Sequence, residues 1–123
     1  MLGGCATGSL RPNEVLADRP EVVVEGDWDD VEAVLAGVLP RVRLVDEPPD
    51  VVSEQVYSCR VQTIDHGPGR VTLERLDGER IRIRVRIGRF GNPAYEDWVE
   101  RALAARFEQL RGNVAAPIVI PPR

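Results

Sequence analysis

Four arginines at every second position, Arg80, Arg82, Arg84 and Arg86, are the residues whose type and spacing point most clearly to chemistry. A guanidinium is planar, permanently charged and forked to match a carboxylate or a phosphate. Between the arginines stand Ile81, Ile83, Val85 and Ile87. A period of two sends alternate side chains to opposite faces of a strand. The aliphatic set therefore enters a core, and the guanidinium groups form an outward row about 6.6 Å apart. Arg60, on an adjacent strand, is expected on the same face. The chemistry this allows is docking of an anion: an acidic protein patch, a cell-envelope polymer or lipid head groups. The competing reading is a solvated face, with arginine stems covering the sheet and heads paired to Glu74 and Glu79.

The acids lie elsewhere. Residues 60–89 hold eight Arg and four Asp or Glu, whereas residues 14–54 hold twelve Asp or Glu and three Arg. All 16 basic residues are arginine, as GC-rich codon usage would produce. With a net charge of −4, no aromatic residue among these arginines and no recognition motif, nucleic acid is disfavoured as the partner. One histidine and two cysteines are too few for a Cys/His zinc module. His66 stands in the turn Asp65-His66-Gly67-Pro68-Gly69 with no motif supplying a nucleophile. Asp27, Asp29 and Asp30 lack the spacing of a calcium loop and read as helix-capping acids. Gly88-Arg89-Phe90-Gly91 lacks the lysine of a phosphate loop. The reading is non-enzymatic, with no catalytic residue, metal or cofactor.

The elements that position the arginine row follow from pattern and caps. Val22-Val23-Val24 is a strand stopped at Gly26. Asp27 caps a helix whose apolar face is Trp28, Val31, Leu35 and Val38, and Pro40 ends it. Val42 and Leu44, alternating with Arg41 and Arg43, predict a second strand, and Glu47-Pro48-Pro49-Asp50 a loop. Tyr57, Cys59, Val61 and Thr63 alternate in a third strand, with Cys59 on the core face. Val71 and Leu73 mark a fourth. A three-residue turn, Leu76 to Gly78, would pair Leu73 with Ile81, Val71 with Ile83, Glu74 with Arg80 and Arg75 with Glu79. Asn92-Pro93 starts a helix that runs to Gly112 with Tyr95, Trp98, Val99, Ala102, Leu103, Arg106 and Leu110 on its apolar face. Trp28 and Trp98 read as core anchors. The fold class is α+β: a two-layer sandwich, a mainly antiparallel sheet of about five strands with two helices on one face, in the order β-α-β-β-β-β-α. Residues 21–112 form the single domain, residues 1–20 a tether and residues 113–123 a tail.

Leu2-Gly3-Gly4-Cys5 has the small residues and cysteine of a bacterial lipobox, and a basic and an apolar stretch are expected upstream of Met1. Ile83-Arg84-Val85-Arg86-Ile87-Gly88-Arg89-Phe90-Gly91-Asn92 resembles the C-terminal signature of a family of small bacterial lipoproteins of uncharacterised function. In that family the last strand runs through Val-Gly-x-Phe-Gly-Asp/Asn into a helix. Ile87 stands here at the valine position. The resemblance covers residues 80–110 closely, and Cys5. It implies lipidation of Cys5, a membrane partner through that lipid anchor, and a location in the bacterial cell envelope. Ala6 after the cysteine implies the outer membrane, facing the periplasm. A disulfide from Cys59 to Cys5 would be excluded by lipidation. In the corner itself, Gly88 and Gly91 are expected to allow tight backbone, Phe90 to staple strand to helix, and Asn92 to cap. A homo-oligomeric assembly subunit without ligand, or a cytoplasmic domain with a miscalled start, are the alternatives.

Overall fold

A computed structural model of the chain describes residues 19–112. The lipobox with Cys5, most of the tether and the tail after Gly112 lie outside the described residues. Strand β1 (Val22–Glu25) leads through a 3-10 turn (Trp28–Asp30) into helix α1 (Val31–Val38) and a second 3-10 turn (Leu39–Val42). Strands β2 (Val45–Asp46), β3 (Val51–Val52), β4 (Val56–Gln62), β5 (Pro68–Arg75) and β6 (Arg80–Ile87) follow, and helix α2 (Pro93–Leu110) closes the fold. The six strands form one antiparallel sheet in the spatial order β1-β6-β5-β4-β2, with β3 also pairing β4.

Alternation decides the layers. Tyr57, Cys59, Val61, Val71, Leu73, Ile81, Ile83, Val85 and Ile87 share one sheet face and one buried cluster with Val34, Leu35 and Val38 of α1 and Val99, Leu103 and Phe107 of α2. Both helices therefore cover the same face, as the sequence pattern required. Asp27 caps the first helical turn by accepting from the Asp29 amide at 3.1 Å. Asn92 caps α2 by accepting from the Tyr95 amide at 3.2 Å. Gly88 and Gly91 adopt φ of 79° and 82°, a region a Cβ disfavours, which is why glycine stands at this corner. Trp28 and Trp98 are partly buried against the core.

Four expectations need correction. Residues 39–42 are a 3-10 turn, and Arg43 takes the left-handed conformation at φ 63°. Pro40 favours that helical turn, which buries Val42 and Leu44 without a strand; the strand begins at Val45. A further short strand, Val51–Val52, stands on the far side of the Pro-Pro loop, where no alternation in the sequence marks it. The β5–β6 hairpin pairs Leu73 with Ile83, Val71 with Val85 and Glu74 with Arg82, two residues away from the predicted register. Asp77, Gly78 and Glu79 form its loop, closed by the Leu76 amide on the Arg80 carbonyl at 2.9 Å. A slip of two preserves every residue's face, so the hydrophobic pattern could not choose between the registers. Finally, Phe90 does not staple strand to helix: the residue is 78% exposed, and Leu110 is also exposed while Phe107 fills the core.

Candidate functional site

The sheet face opposite the helices carries the predicted arginines. Arg80, Arg82, Arg84 and Arg86 lie along β6 and Arg60 on β4, all with outward register; β5 stands between the two strands, so Arg60 is on the expected face but not on the strand next to β6. Their electrostatic settings differ. Arg80 is held by Asp77 at 2.6 Å, in its own hairpin. Arg82 and Arg84 share Glu21 and Glu74 at 3.6–3.9 Å, distances of loose surface pairing. Glu79 pairs with Arg111 at 2.8 Å and not with the β6 arginines. Arg60 and Arg86 have no carboxylate within 4.0 Å among the described residues.

The register brings Arg60 and Arg86 together around an arginine the sequence reading left out. Arg60 pairs with Arg70, and Arg70 with Arg86. Three like charges thus stand directly opposite one another across three adjacent strands. Like charges so placed repel and weaken a sheet unless an anion lies among them. Asp50, from the loop before β3, supplies one: Arg70 donates to its two carboxylate oxygens at 2.8 Å each. The same guanidinium donates to Ser58 Oγ at 2.9 Å, and the Ser58 and Thr72 hydroxyls are 3.1 Å apart in the next row of the sheet. The hydrogen bonds from Arg70 hold the Asp50 carboxyl below the usual carboxylate range and raise the Arg70 guanidinium above its ordinary value. Arg70, Thr72, Arg84 and Arg86 also line an open groove of about 780 Å³ that extends to Arg19 and Phe90.

A second polar cluster lies at the margin of this groove, and the sequence reading missed it. Glu96 and Glu100 of α2 are only 5% and 4% exposed. The β1–β6 register places Val22 opposite Ile83, so Pro20 would stand opposite Val85. Proline cannot donate to the Val85 carbonyl, so two-way pairing stops at Val22, where β1 begins. Beyond it, the β6 amides are taken by α2 instead: Val85 donates to Glu100 and Ile87 to Glu96, each at 2.9 Å. Glu96 also accepts from the Asn92 amide at 2.9 Å. Arg19 closes the cluster on Glu100 at 2.6 and 3.1 Å and on Glu96 at 3.4 Å. Its hydrogen bond to Glu100 raises the Arg19 pKa. The cluster blunts the free half of β6 as a docking edge for another strand. The signal in sequence was a proline two residues before β1 and carboxylates one helical turn apart on a capped helix.

Cys59 is a buried free thiol on the core face, and burial pushes its pKa up to about 11. His66 is exposed and its ring stands edge-on to Tyr95 at 5.3 Å. Among the described residues, no group of three or more His, Cys, Asp or Glu side chains is placed to hold a metal ion. No helix among them is long and apolar enough to cross a membrane. No family model, curated protein or solved structure matches the chain.

Proposed function

We propose that this chain is a non-enzymatic docking module whose open sheet face binds an anionic partner, an acidic protein patch or an anionic envelope polymer. The observation that carries the reading is the row Arg60–Arg70–Arg86: three guanidinium groups in register across three strands with Asp50 as the only carboxylate paired to them among the described residues. A partner carboxylate or phosphate inserted there relieves the repulsion and gains charge-assisted hydrogen bonds from forked donors. Arg80, Arg82 and Arg84 have acids of their own and serve as the flank of the site. The test is fluorescence anisotropy with a labelled decaglutamate peptide. Arg60→Ser with Arg86→Ser should weaken binding at least about tenfold, while Arg101→Ser, on the outer side of α2, should leave it unaltered. Equal binding by all three chains would refute the reading.

The proposal extends to the cell envelope, with a lipid anchor on Cys5 and the outer membrane, facing the periplasm, as the location. Its support is the Leu2-Gly3-Gly4-Cys5 sequence and the resemblance of residues 80–110 to small lipoproteins. Mass spectrometry of Cys5 in a bacterial host expressing the natural upstream reading frame tests it: acylated cysteine supports it, and an unmodified thiol overturns it. A second reading, assembly through a strand edge, is favoured by the short edge strand β3, whose Val51 and Val52 are both exposed. A stable dimer in sedimentation that Val52→Lys abolishes would support that reading, and a monomer would remove it.

A further inference from the structure

We propose that the end of the domain bearing the β4–β5 and β6–α2 loops is a membrane-contacting tip for an anionic lipid surface. The first support is where the exposed apolar side chains lie. The three most exposed large ones among the described residues are Ile64 at 85%, Phe90 at 78% and Val45 at 69%. Ile64 follows β4, Phe90 follows β6, and Val45 stands opposite Gln62 at the end of β4, so all three sit at one end of the sheet. The two loops touch: the Gly88 amide donates to the Pro68 carbonyl at 2.9 Å, and a Cβ on Gly88 would lie 3.0 Å from the His66 carbonyl.

The second support is charge. The Arg89 guanidinium lies 5.6 Å from the centre of the Phe90 ring, and Phe90 lines the same groove as Arg84 and Arg86. An aromatic ring in water with guanidinium groups beside it suits the boundary between head groups and acyl chains. There the ring leaves water, the arginine stems lie along the interface and the heads meet lipid phosphates. Asp46, Glu47 and Asp65 lie toward the β2 side of this end and oppose the attraction. The Phe90 side therefore enters first.

The third support is where the chain enters the body. Strand β1 runs from Val22, opposite Ile83, to Glu25, opposite Arg80, so Arg19, fastened to Glu96 and Glu100, lies toward the Ile87 end. On the lipid-anchor reading of Cys5, on which this third support rests, the anchored chain enters the body at this end. The inference stands apart from the sheet-face reading, although Arg86 borders both surfaces.

The test is co-sedimentation of the full 123-residue chain, unacylated, with vesicles of phosphatidylcholine and phosphatidylglycerol in equal parts, and with phosphatidylcholine vesicles. The chain should bind the mixed vesicles more tightly. Ile64→Ser with Phe90→Ser should lower that binding about tenfold, with the melting curve unaltered because both side chains are exposed. Phe90→Leu should retain most of the binding. No vesicle binding by the parent chain, or equal binding by the double variant, would overturn the tip. Loss of vesicle binding in Arg60→Ser with Arg86→Ser but not in the apolar variant would assign lipid contact to the arginine face instead and overturn it equally. Vesicle binding that survives a failed decaglutamate test would leave the tip standing and the sheet-face reading refuted.

Discussion

Glu100→Ala should be among the most damaging single changes in this domain, and the structure says by how much. Glu100 accepts from the buried Val85 amide at 2.9 Å and from Arg19 at 2.6 Å. Alanine strands the amide, at a cost of about 1–3 kcal/mol. Arg19 also loses its nearest carboxylate, but its side chain is 22% exposed and water replaces part of the contact, so that loss adds about 1 kcal/mol. The total, about 2–4 kcal/mol, should lower Tm by roughly 10–20 °C in a domain of this size. Glu100→Gln keeps an oxygen for the Val85 amide and loses only the charge, so it should cost about 1 kcal/mol. Urea unfolding of the full chain at neutral pH, followed by circular dichroism, reads both. Arg19→Ala provides the cycle: in its background Glu100→Ala should cost about 1 kcal/mol less. If Glu100→Ala and Glu100→Gln unfold at the same urea concentration, the carboxylate is not serving the strand amide and the reasoning fails.

Three further outcomes are expected. Gly26→Ala would place a Cβ 2.7 Å from Cδ1 of the buried Phe107 ring, so it should destabilise by about 1–3 kcal/mol by urea unfolding; an unchanged midpoint would mean that the ring shifts freely. Asp50 has a lowered pKa because Arg70 holds its ionised form, so the contact's contribution is present above the ordinary carboxylate range and disappears as pH falls through the lowered value; carboxyl NMR titration should show the midpoint rising in Arg70→Ser, and an unmoved midpoint would contradict the pairing. In a Cys5→Ser chain, Cys59, with its buried thiol at about 11, should resist iodoacetamide at pH 8 until denaturant is added; rapid labelling of the native chain would contradict its burial.

What the sequence displayed and what it concealed divide along physical lines. The Arg-Ile alternation of residues 80–87 fixed the two faces of β6, because period two survives any tertiary context, and Asp27 and Asn92 announced the caps by residue type alone. The hairpin register stayed hidden because registers two residues apart bury the same side chains. That concealment extended to the candidate site: Arg60 and Arg86 were visible as outward-facing, but only the register reveals Arg70 between them. Arg41 to Leu44 imitated a strand by alternation, while Pro40 turned that stretch into a helical corner. Glu96 and Glu100 resembled the wet side of an amphipathic helix, and only the early end of β1 at Pro20 creates the unpaired amides that draw them in.

On the docking reading, the Arg60–Arg70–Arg86 row takes an anion from outside. NMR of the arginine Nε–H groups during titration with unlabelled decaglutamate tests it most directly. The resonances of Arg60, Arg70 and Arg86 should move together at one affinity, with the Asp50 carboxyl released as Arg70 turns to the peptide, while Arg101 and Arg111 stay in place. Shifts of equal size across Arg80, Arg101 and Arg111, or none at the row, would contradict it.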